Sequence, residues 1–536
     1  MNTLRTVLGL LVASLLWALP RSVCAADDAG TSGPRFVVSF DASVREQPVT
    51  GRLVVYLIRP DAILFGGERV QPGDAPFFES PQPCFGVDVK GLEPGASVVL
   101  DDRATSYPEV MSKLARGTYR VQAVLDWHRD NSEWKREPGN LYSQTSEVEL
   151  DPASDTPVEI KLTEVVKPRP TPASEIAEIF EHRSELLSKF HGREVVMKAG
   201  VVKPIGWTEG GGRSYAAVYE VPGFGGDSRT AFMIARGRTP DRVGSLPETD
   251  FKLWSNAFRI VLDPESGNGH TLFADSENNG PWGRALVEEL IPALEAKFGL
   301  IARPEARLVT GHSSGGWSSL WLQVTYPDFF GGAWPSAPDP VDFRAFQRTD
   351  IYSAASMYEQ VIEGSEQTAL TPSYTTLKGE TTMTVRTENL VEEVIGPRNT
   401  SGQQWDSWLA VSAPRNADGL PADLYDPRTG RLDRTVAERM RKYDIGELLR
   451  ANPERIGRVI REKVRLVVGE KDNYGLQLAV KLLKDDLDRL SPAREGDSGY
   501  IKVLPGDHGT VMMNPEAKGG RAEMLEQLRS SGVLER

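Results

Sequence analysis

The chain has 536 residues, of which 62 are Lys or Arg and 75 are Asp or Glu, so its formal net charge at pH 7 is −13. A chain of this length exceeds one compact core and predicts two domains. The acidic balance argues against nucleic acid as a partner and favours simple solubility.

Residues 1–25 have the features of a signal peptide. Arg5 supplies the positive start, Val7 to Leu19 is an apolar stretch, and Val23-Cys24-Ala25 resembles a small-residue cleavage site. The stretch is too short to span a bilayer comfortably, and no comparable run follows it. We therefore expect an exported protein, secreted or periplasmic, without an integral membrane segment. Removal of the signal leaves Cys84 alone, so stability must come from core packing rather than from an internal disulfide.

The first half of the mature chain has the pattern of a β-sandwich. Short apolar runs alternate there with turn residues. The runs are Phe36–Phe40, Leu53–Ile58, Ala96–Leu100, Tyr119–Leu125 and Val158–Leu162. The sequence therefore predicts a β-sandwich domain over residues 26–166.

A proline-rich stretch, Lys167–Pro172, follows this domain and can neither continue a strand nor lie inside a helix. Apolar residues then recur at helical spacing from Ser174 to Phe190, and Gly192 would stop a helix there. We interpret residues 167–193 as a linker followed by a helix.

Residues 194–536 change to an alternation of strands and helices. Helical stretches such as Ala285–Phe298 and Leu476–Leu490 separate the strand-like runs. The runs are Glu194–Met197, Tyr215–Val221, Phe258–Leu262, Arg307–Thr310, Gly332–Pro335, Val464–Val468 and Tyr500–Leu504. This alternation predicts an α/β fold, a mostly parallel sheet with helices on both faces, whose active site lies at the carboxyl ends of the strands.

One segment of this half carries a chemical motif. Gly311-His312-Ser313-Ser314-Gly315 matches G-x-S-x-G, with an apolar strand before it and a helical stretch after it. Such a turn holds the serine in a strained backbone conformation with its hydroxyl exposed above the sheet, and the glycines leave room for the neighbouring strand and helix. The sequence therefore predicts Ser313 as a nucleophile. An ordinary Gly/Ser turn is the alternative.

A catalytic histidine can be sought by elimination among the six in the chain. His128, His182 and His191 lie in the predicted β-domain and linking helix, and His312 cannot reach its neighbour's hydroxyl in the required geometry. His508 follows a strand near the end of the chain, which suits the order Ser, acid, His. His270 lies in a Gly/Asn-rich loop, and we interpret it as solvated or on the substrate side.

The acid has several candidates. Asp472 follows the strand Val464–Val468, where a carboxylate could accept the imidazole N–H and fix its tautomer. Glu470 is its near neighbour. Asp339 and Asp342 follow the strand after the nucleophile, which is also a workable place for the acid. We favour Asp472.

The oxyanion hole needs backbone donors. The residue after the nucleophile, Ser314, supplies one N–H. The glycine-rich loop Pro222–Gly226 lets backbone approach a substrate, and we expect the second N–H from Phe224, with Gly225 as the alternative. An ordinary turn is the competing interpretation of this loop.

Residues 342–441 form a polar, irregular insertion that could roof the active site. Its Trp405 and Trp408 could face a substrate, but at this spacing we favour one packed face of a short helix. Neither HExxH nor paired CxxC occurs, so the sequence predicts no protein-built metal site and no cofactor.

Several of these segments together resemble the putative-esterase (esterase D-like) branch of the α/β-hydrolases. They are Gly280–Gly299, Gly311–Leu320, Tyr326–Gly331 and Gly469–Tyr474. That branch includes siderophore esterases, feruloyl esterases, S-formylglutathione hydrolases and mycolyltransferases. The resemblance covers roughly residues 195–536 and implies a Ser-Asp-His triad, carried by position onto Ser313, Asp472 and His508. An N-terminal β-domain is similar to the layout of siderophore esterases. Pro222 stands where many relatives have His.

The sequence thus predicts an exported serine esterase that acts on a small-molecule or polysaccharide-linked ester through an acyl-enzyme. An acyltransferase on the same triad is one alternative, because the two differ only in whether water or an alcohol reaches the acyl-enzyme. A non-catalytic carbohydrate-binding protein on this scaffold is the other. Since every candidate catalytic residue lies beyond the linker, we expect a chain beginning near Pro172 to hydrolyse small esters.

Overall fold

The computed structural model describes residues 33–64, 67–75, 80–127, 130–362 and 364–534. The predicted signal peptide and His128 lie outside these ranges. In the part of the chain that is described, no helix combines the length and the apolar character needed to cross a bilayer.

The first part of the chain consists of two β-sheets packed face to face. The smaller sheet has the order Ser97–Leu100, Phe36–Phe40, Val158–Leu162. The larger has the order Glu164–Val165, Leu141–Tyr142, Gly117–Asp126, Val49–Ile58, Cys84–Leu92, Thr105–Tyr107, and Ser146–Leu150 also pairs with Gly117–Asp126. Phe36 of one sheet and Phe85 of the other are fully buried with ring centroids 6.1 Å apart, so the sheets share one core, as a sandwich does.

The second part is built on an eight-stranded sheet. We number its strands β1 (Ala177–Arg183), β2 (Val196–Val202), β3 (Ala216–Val221), β4 (Ala257–Leu262), β5 (Arg307–His312), β6 (Gly332–Ser336), β7 (Arg465–Gly469) and β8 (Tyr500–Leu504). Their order in the sheet is β1-β2-β4-β3-β5-β6-β7-β8, and β2 runs antiparallel to its neighbours while β3 to β8 are parallel. This is the mostly parallel sheet that the sequence predicts.

Helices cover both faces of this sheet. Along β3, Ala217, Tyr219 and Val221 point into one apolar cluster, and Ala216 and Val218 point into another on the opposite face. Because side chains alternate along a strand, a strand buried on both sides reads as a continuous apolar run. The helices outside residues 342–441 are Glu185–His191, Thr230–Arg236, Pro240–Val243, Glu248–Trp254, Trp282–Ala285 continuing through Leu286–Leu290 into Ile291–Phe298, Ser314–Thr325, Ile445–Ala451, Pro453–Gly457 continuing into Arg458–Lys463, Gln477–Leu490, Pro515–Lys518 and Gly520–Ser530.

The helix predicted from Ser174 to Phe190 is wrong in its first part. Residues 177–183 form the edge strand β1, and the helix begins only at Glu185, where the Ser184 side chain accepts the N–H of Leu187 as an N-cap. Ile179 and Phe180 pack on opposite faces of the sheet, which is the period of a strand. Pairing with β2 therefore overrode the helical spacing of the apolar residues in this segment.

Among its described residues, the predicted insertion at 342–441 contains two small hairpins and three α-helices. The hairpins are Glu359–Val361 with Thr368–Leu370 and Pro372–Thr375 with Thr381–Thr384, and the helices are Val385–Ile395, Gln404–Ser412 and Arg434–Met440. We call the first two helices the first and second insertion helices. The first insertion helix packs its Val391 and Val394 against Val54, Cys84 and Tyr107 of the sandwich.

The sandwich also reaches the loop that follows β3. Arg136 donates a hydrogen bond to the carbonyl oxygen of Gly225 and lies 3.5 Å from the Asp227 carboxylate. The Ser132 hydroxyl donates to Glu265 at 2.8 Å. The two parts of the chain therefore meet beside the loop in which the second oxyanion donor is predicted.

Candidate active site

The nucleophile candidate stands on a strained turn at the carboxyl end of β5. Ser313 has φ 60° and ψ −124°, outside the conformations that residues with a side chain usually adopt. A Cβ on Gly311 would lie 2.1 Å from the Gly315 oxygen, and one on Gly315 would lie 1.9 Å from the Val221 oxygen. Only glycine fits at these flanking positions, because backbone of the neighbouring strand and helix occupies the space.

Asp472 and His508 meet at the ends of the two adjacent strands β7 and β8. His508 Nδ1 lies 2.7 Å from Asp472 Oδ2, and the other carboxylate oxygen accepts the backbone N–H groups of Tyr474 at 3.0 Å and Leu476 at 3.4 Å. The Asp472 side chain is fully buried. A buried carboxylate held in this way fixes the imidazole with Nδ1 protonated, which leaves Nε2 free to accept a proton.

The electrostatics of His508 suit a general base. Burial opposes a charge on its ring, but the hydrogen bond and the negative charge of Asp472 outweigh it, so the pKa of His508 is raised above its ordinary value. The centroid of the His312 ring lies 4.6 Å from that of His508 with the two planes tilted by 48°, and burial lowers the pKa of His312 to about 4. His312 is thus a neutral neighbour.

The Ser313 hydroxyl donates to Asp339 Oδ1 at 3.3 Å, and among the described residues it makes no hydrogen bond to His508. Ser313 and His508 nevertheless line the same cavity. In free enzymes the bond between nucleophile and base is often long and forms when substrate binds.

The competing acid candidates lie elsewhere. Asp342 is fully buried in ion pairs with Arg344 at 2.6 Å and Arg450 at 2.7 Å. Glu470 is exposed. Asp339 contacts the nucleophile rather than the histidine. Asp472 is therefore the candidate acid that the fold places against His508.

Asp339 itself connects the strained turn at Ser313 to the second insertion helix. Its Oδ2 accepts hydrogen bonds from the Ser314 hydroxyl at 2.7 Å, the Trp408 indole at 2.9 Å and the Gln404 amide at 3.3 Å. Burial raises the pKa of Asp339, although these hydrogen bonds oppose the rise. Sequence reasoning considered Asp339 only as a triad acid and missed this arrangement.

The predicted oxyanion donors lie on either side of the nucleophile. Within the described residues, the backbone N–H groups of Phe224 and Ser314 have no hydrogen-bond acceptor. A Cβ on Gly223 would lie 3.4 Å from Ser313 Cβ, so the loop runs directly beside the nucleophile. Unpaired N–H groups at this point are available to a developing oxyanion. Gly225, the alternative donor, adopts φ +73°.

His270 holds this loop in place, and the interpretation of it as solvated is wrong. It is 1% exposed, its Nδ1 accepts the N–H of Leu272 at 3.0 Å, and its Nε2 lies 3.0 Å from the Pro222 oxygen. Burial lowers the pKa of His270 to about 4, so the ring is neutral and donates through Nε2. The signal for this role was the position of His270 before a buried Thr-Leu-Phe-Ala run.

The cavity over Ser313 has a volume of about 260 Å³. Five aromatic side chains line it together with Asp339, His508 and two glutamines, and its lining contains neither Lys nor Arg. The aromatic residues are Phe224, Phe346, Trp405, Trp408 and Tyr474. Trp405 and Trp408 are 2% and 3% exposed, so both pack in the core and present an edge to the cavity. Among the described residues no cluster of His, Cys, Asp and Glu could hold a metal ion.

Comparison with known proteins adds a family match. Residues 267–420, which enclose Ser313 and Asp339 but not Asp472 or His508, match the family model described as "Putative esterase". No curated protein matches the chain significantly.

Solved structures similar to this chain include two S-formylglutathione hydrolases. The one from Staphylococcus aureus is 13% identical, with 65% of this chain and 99% of that chain covered and a TM-score of 0.35. The one from Agrobacterium tumefaciens is 14% identical, with 66% and 95% covered and a TM-score of 0.35. A ferulic acid esterase from Anaeromyces mucronatus is 12% identical, with 67% and 93% covered and a TM-score of 0.32.

Proposed function

We propose that this chain, whose residues 267–420 match the putative-esterase family model, hydrolyses carboxylic esters through an acyl-enzyme on Ser313. The observation that carries the proposal is the strained backbone of Ser313 in a cavity shared with the Asp472–His508 pair. Strain at a single serine costs about 1–3 kcal/mol of stability, so the conformation of Ser313 is explained by a function rather than by packing.

In the first half of the reaction, His508 Nε2 takes the proton of the Ser313 hydroxyl as Oγ attacks the ester carbonyl carbon. The carbonyl oxygen becomes an oxyanion and accepts hydrogen bonds from the backbone N–H groups of Phe224 and Ser314. The carbon–oxygen bond to the alcohol then breaks, and His508 returns its proton to the leaving alcohol. Asp472 stays ionised and stabilises the imidazolium that forms between these two proton transfers.

In the second half, His508 activates a water molecule that attacks the acyl-enzyme, and the acid product leaves with Ser313 restored. An alcohol that entered in place of water would make the enzyme an acyltransferase.

The proposal of an exported enzyme rests on the sequence of residues 1–25 alone.

The proposal is tested by replacing Ser313 with alanine. Ser313→Ala should lower kcat on p-nitrophenyl acetate by about 10⁴ to 10⁶, because a triad works as a unit, and should abolish labelling by a fluorophosphonate probe. Ser319→Ala is the matched control, since in the described part of the chain that hydroxyl bonds only to Gly316 O of its own helix at 2.9 Å and does not line the cavity.

Ser313→Ala activity within tenfold of the wild type would refute the assignment of the nucleophile. Adding acceptor alcohols to the wild-type reaction and measuring the ratio of transfer to hydrolysis separates the hydrolase from the acyltransferase.

A further inference from the structure

The active-site cavity contains a carboxylate that the triad does not use. We propose that Asp339 binds an ammonium group on the α-carbon of the acyl half of the substrate, so that the preferred substrates are esters of α-amino acids. This proposal rests on the proposed role of Ser313 as the nucleophile. It adds the class of acyl group, which the fold and the family match leave open.

The position of Asp339 allows this contact. Its Oδ2 is saturated by three donors, whereas Oδ1 has one partner among the described residues, the Ser313 hydroxyl at 3.3 Å. In an attacking geometry the carbonyl carbon lies about 3 Å from the serine oxygen. A substituent on the α-carbon is only two bonds further, so an α-ammonium falls within hydrogen-bond reach of Oδ1 once Ser313 turns towards His508.

Electrostatics favour a cation at this point. A carboxylate beside the nucleophile repels the oxyanion that develops on the substrate, and the repulsion is strong because the site is buried. Asp339 is 4% exposed, and the cavity lining offers no Lys or Arg to neutralise it. An α-ammonium offsets one unit of this negative charge in the transition state, whereas with a neutral acyl group the His508 imidazolium is the only cation among the residues that line the cavity.

The remaining lining supports the same class. The cavity is surrounded by aromatic side chains, including Trp405, Trp408 and Tyr474, which offer apolar contacts to the side chain of an amino-acyl group. Acyl groups that carry a carboxylate or a phosphate find no positive partner here and meet the charge of Asp339. The cavity thus selects by charge as well as by shape.

Three esters of one carbon skeleton test the proposal. They are the methyl esters of racemic phenylalanine, of racemic 3-phenyllactate and of achiral 3-phenylpropionate, which place an ammonium, a hydroxyl or a hydrogen on the same α-carbon. Their kcat/KM values are measured by titration of released acid, at a pH below the pKa of the amino ester. We expect the ammonium ester to exceed both others by at least about tenfold, as a charge-assisted hydrogen bond allows.

The variant Asp339→Asn separates charge from shape. Its amide oxygen can accept the same hydrogen bonds from Ser314, Gln404 and Trp408. The amide NH₂ then faces the substrate in place of a negatively charged oxygen. The preference for the ammonium ester should collapse to within about threefold, and Asp339→Glu, which restores the charge, should recover part of it. A cooperative thermal transition and labelling by a fluorophosphonate confirm that each variant is folded.

Several outcomes overturn the proposal. They are a wild-type preference below about threefold, equal rates for the hydroxyl and ammonium esters, an unchanged preference in Asp339→Asn, and hydrolysis of p-nitrophenyl acetate by Ser313 without hydrolysis of any of the three esters. The proposed function would be refuted by a different result, namely ester hydrolysis that persists in Ser313→Ala. If Asp339→Asn fails to fold, wild-type inhibition decides, because 1-amino-2-phenylethylboronic acid should inhibit more strongly than 2-phenylethylboronic acid.

Discussion

Replacing Asp472 with asparagine should nearly abolish activity, and the structure shows why an amide cannot stand in for the acid. The oxygen of Asp472 that faces away from His508 accepts two backbone N–H groups, from Tyr474 and Leu476. An asparagine amide oxygen would keep that place, so its NH₂ group would face His508 Nδ1. Two donors cannot share a hydrogen bond, and the ring would shift its proton to Nε2.

A ring protonated on Nε2 cannot accept the Ser313 proton. We expect kcat to fall by about 10⁴, which is ~5 kcal/mol of lost transition-state stabilisation. Because the base must be deprotonated, wild-type activity should be lost as pH falls through the raised pKa of His508. Without the Asp472 charge, burial dominates and lowers the pKa of His508, so the residual activity should persist to lower pH.

The assay is the pH dependence of kcat and kcat/KM on p-nitrophenyl acetate, with Asp507→Asn as the matched control. Asp507 precedes His508 in the chain, but its carboxylate accepts the backbone N–H of Thr510 at 2.6 Å, so its neutralisation should change kcat by less than about threefold. Asp472→Asn activity within tenfold of the wild type, or an equal loss in Asp507→Asn, would refute the assignment of the acid.

Two further changes test the packing around the site. Gly315→Ala should prevent folding or lower the free energy of unfolding in urea by more than ~4 kcal/mol, because its Cβ would lie 1.9 Å from the Val221 oxygen. The control Gly244→Ala, whose Cβ meets nothing within 4 Å, should stay within ~0.5 kcal/mol of the wild type. A chain beginning at Pro172 should lose activity on small esters, which is contrary to the expectation from the sequence. The truncation exposes the first insertion helix and removes the hydrogen bond from Arg136 to Gly225. Full activity in a soluble truncation would show that these contacts are dispensable.

The sequence by itself predicted the features that are local. The mainly apolar runs of β3 to β7 predict largely buried strands of a parallel sheet. G-x-S-x-G predicts the strained turn at Ser313, because backbone sterics act within a few residues. The preference for Asp472 and His508 came from their positions after the last two strands. Parallel strands end at one edge of a sheet, so their following loops must meet there.

Tertiary structure decided what depends on partners distant in the chain. Ile179 and Phe180 fall at helical spacing in the sequence and predicted a helix, but pairing with β2 placed them on opposite faces of a sheet. Asp339 was a candidate acid by position, yet the fold turned it to Ser313 and the second insertion helix. His270 was interpreted as solvated or on the substrate side because of its polar loop, but it is buried against Pro222. A single sequence records the local conformational preference of each residue but not which surfaces pack together in the fold. The roles of these residues were set by such packing between segments distant in the chain.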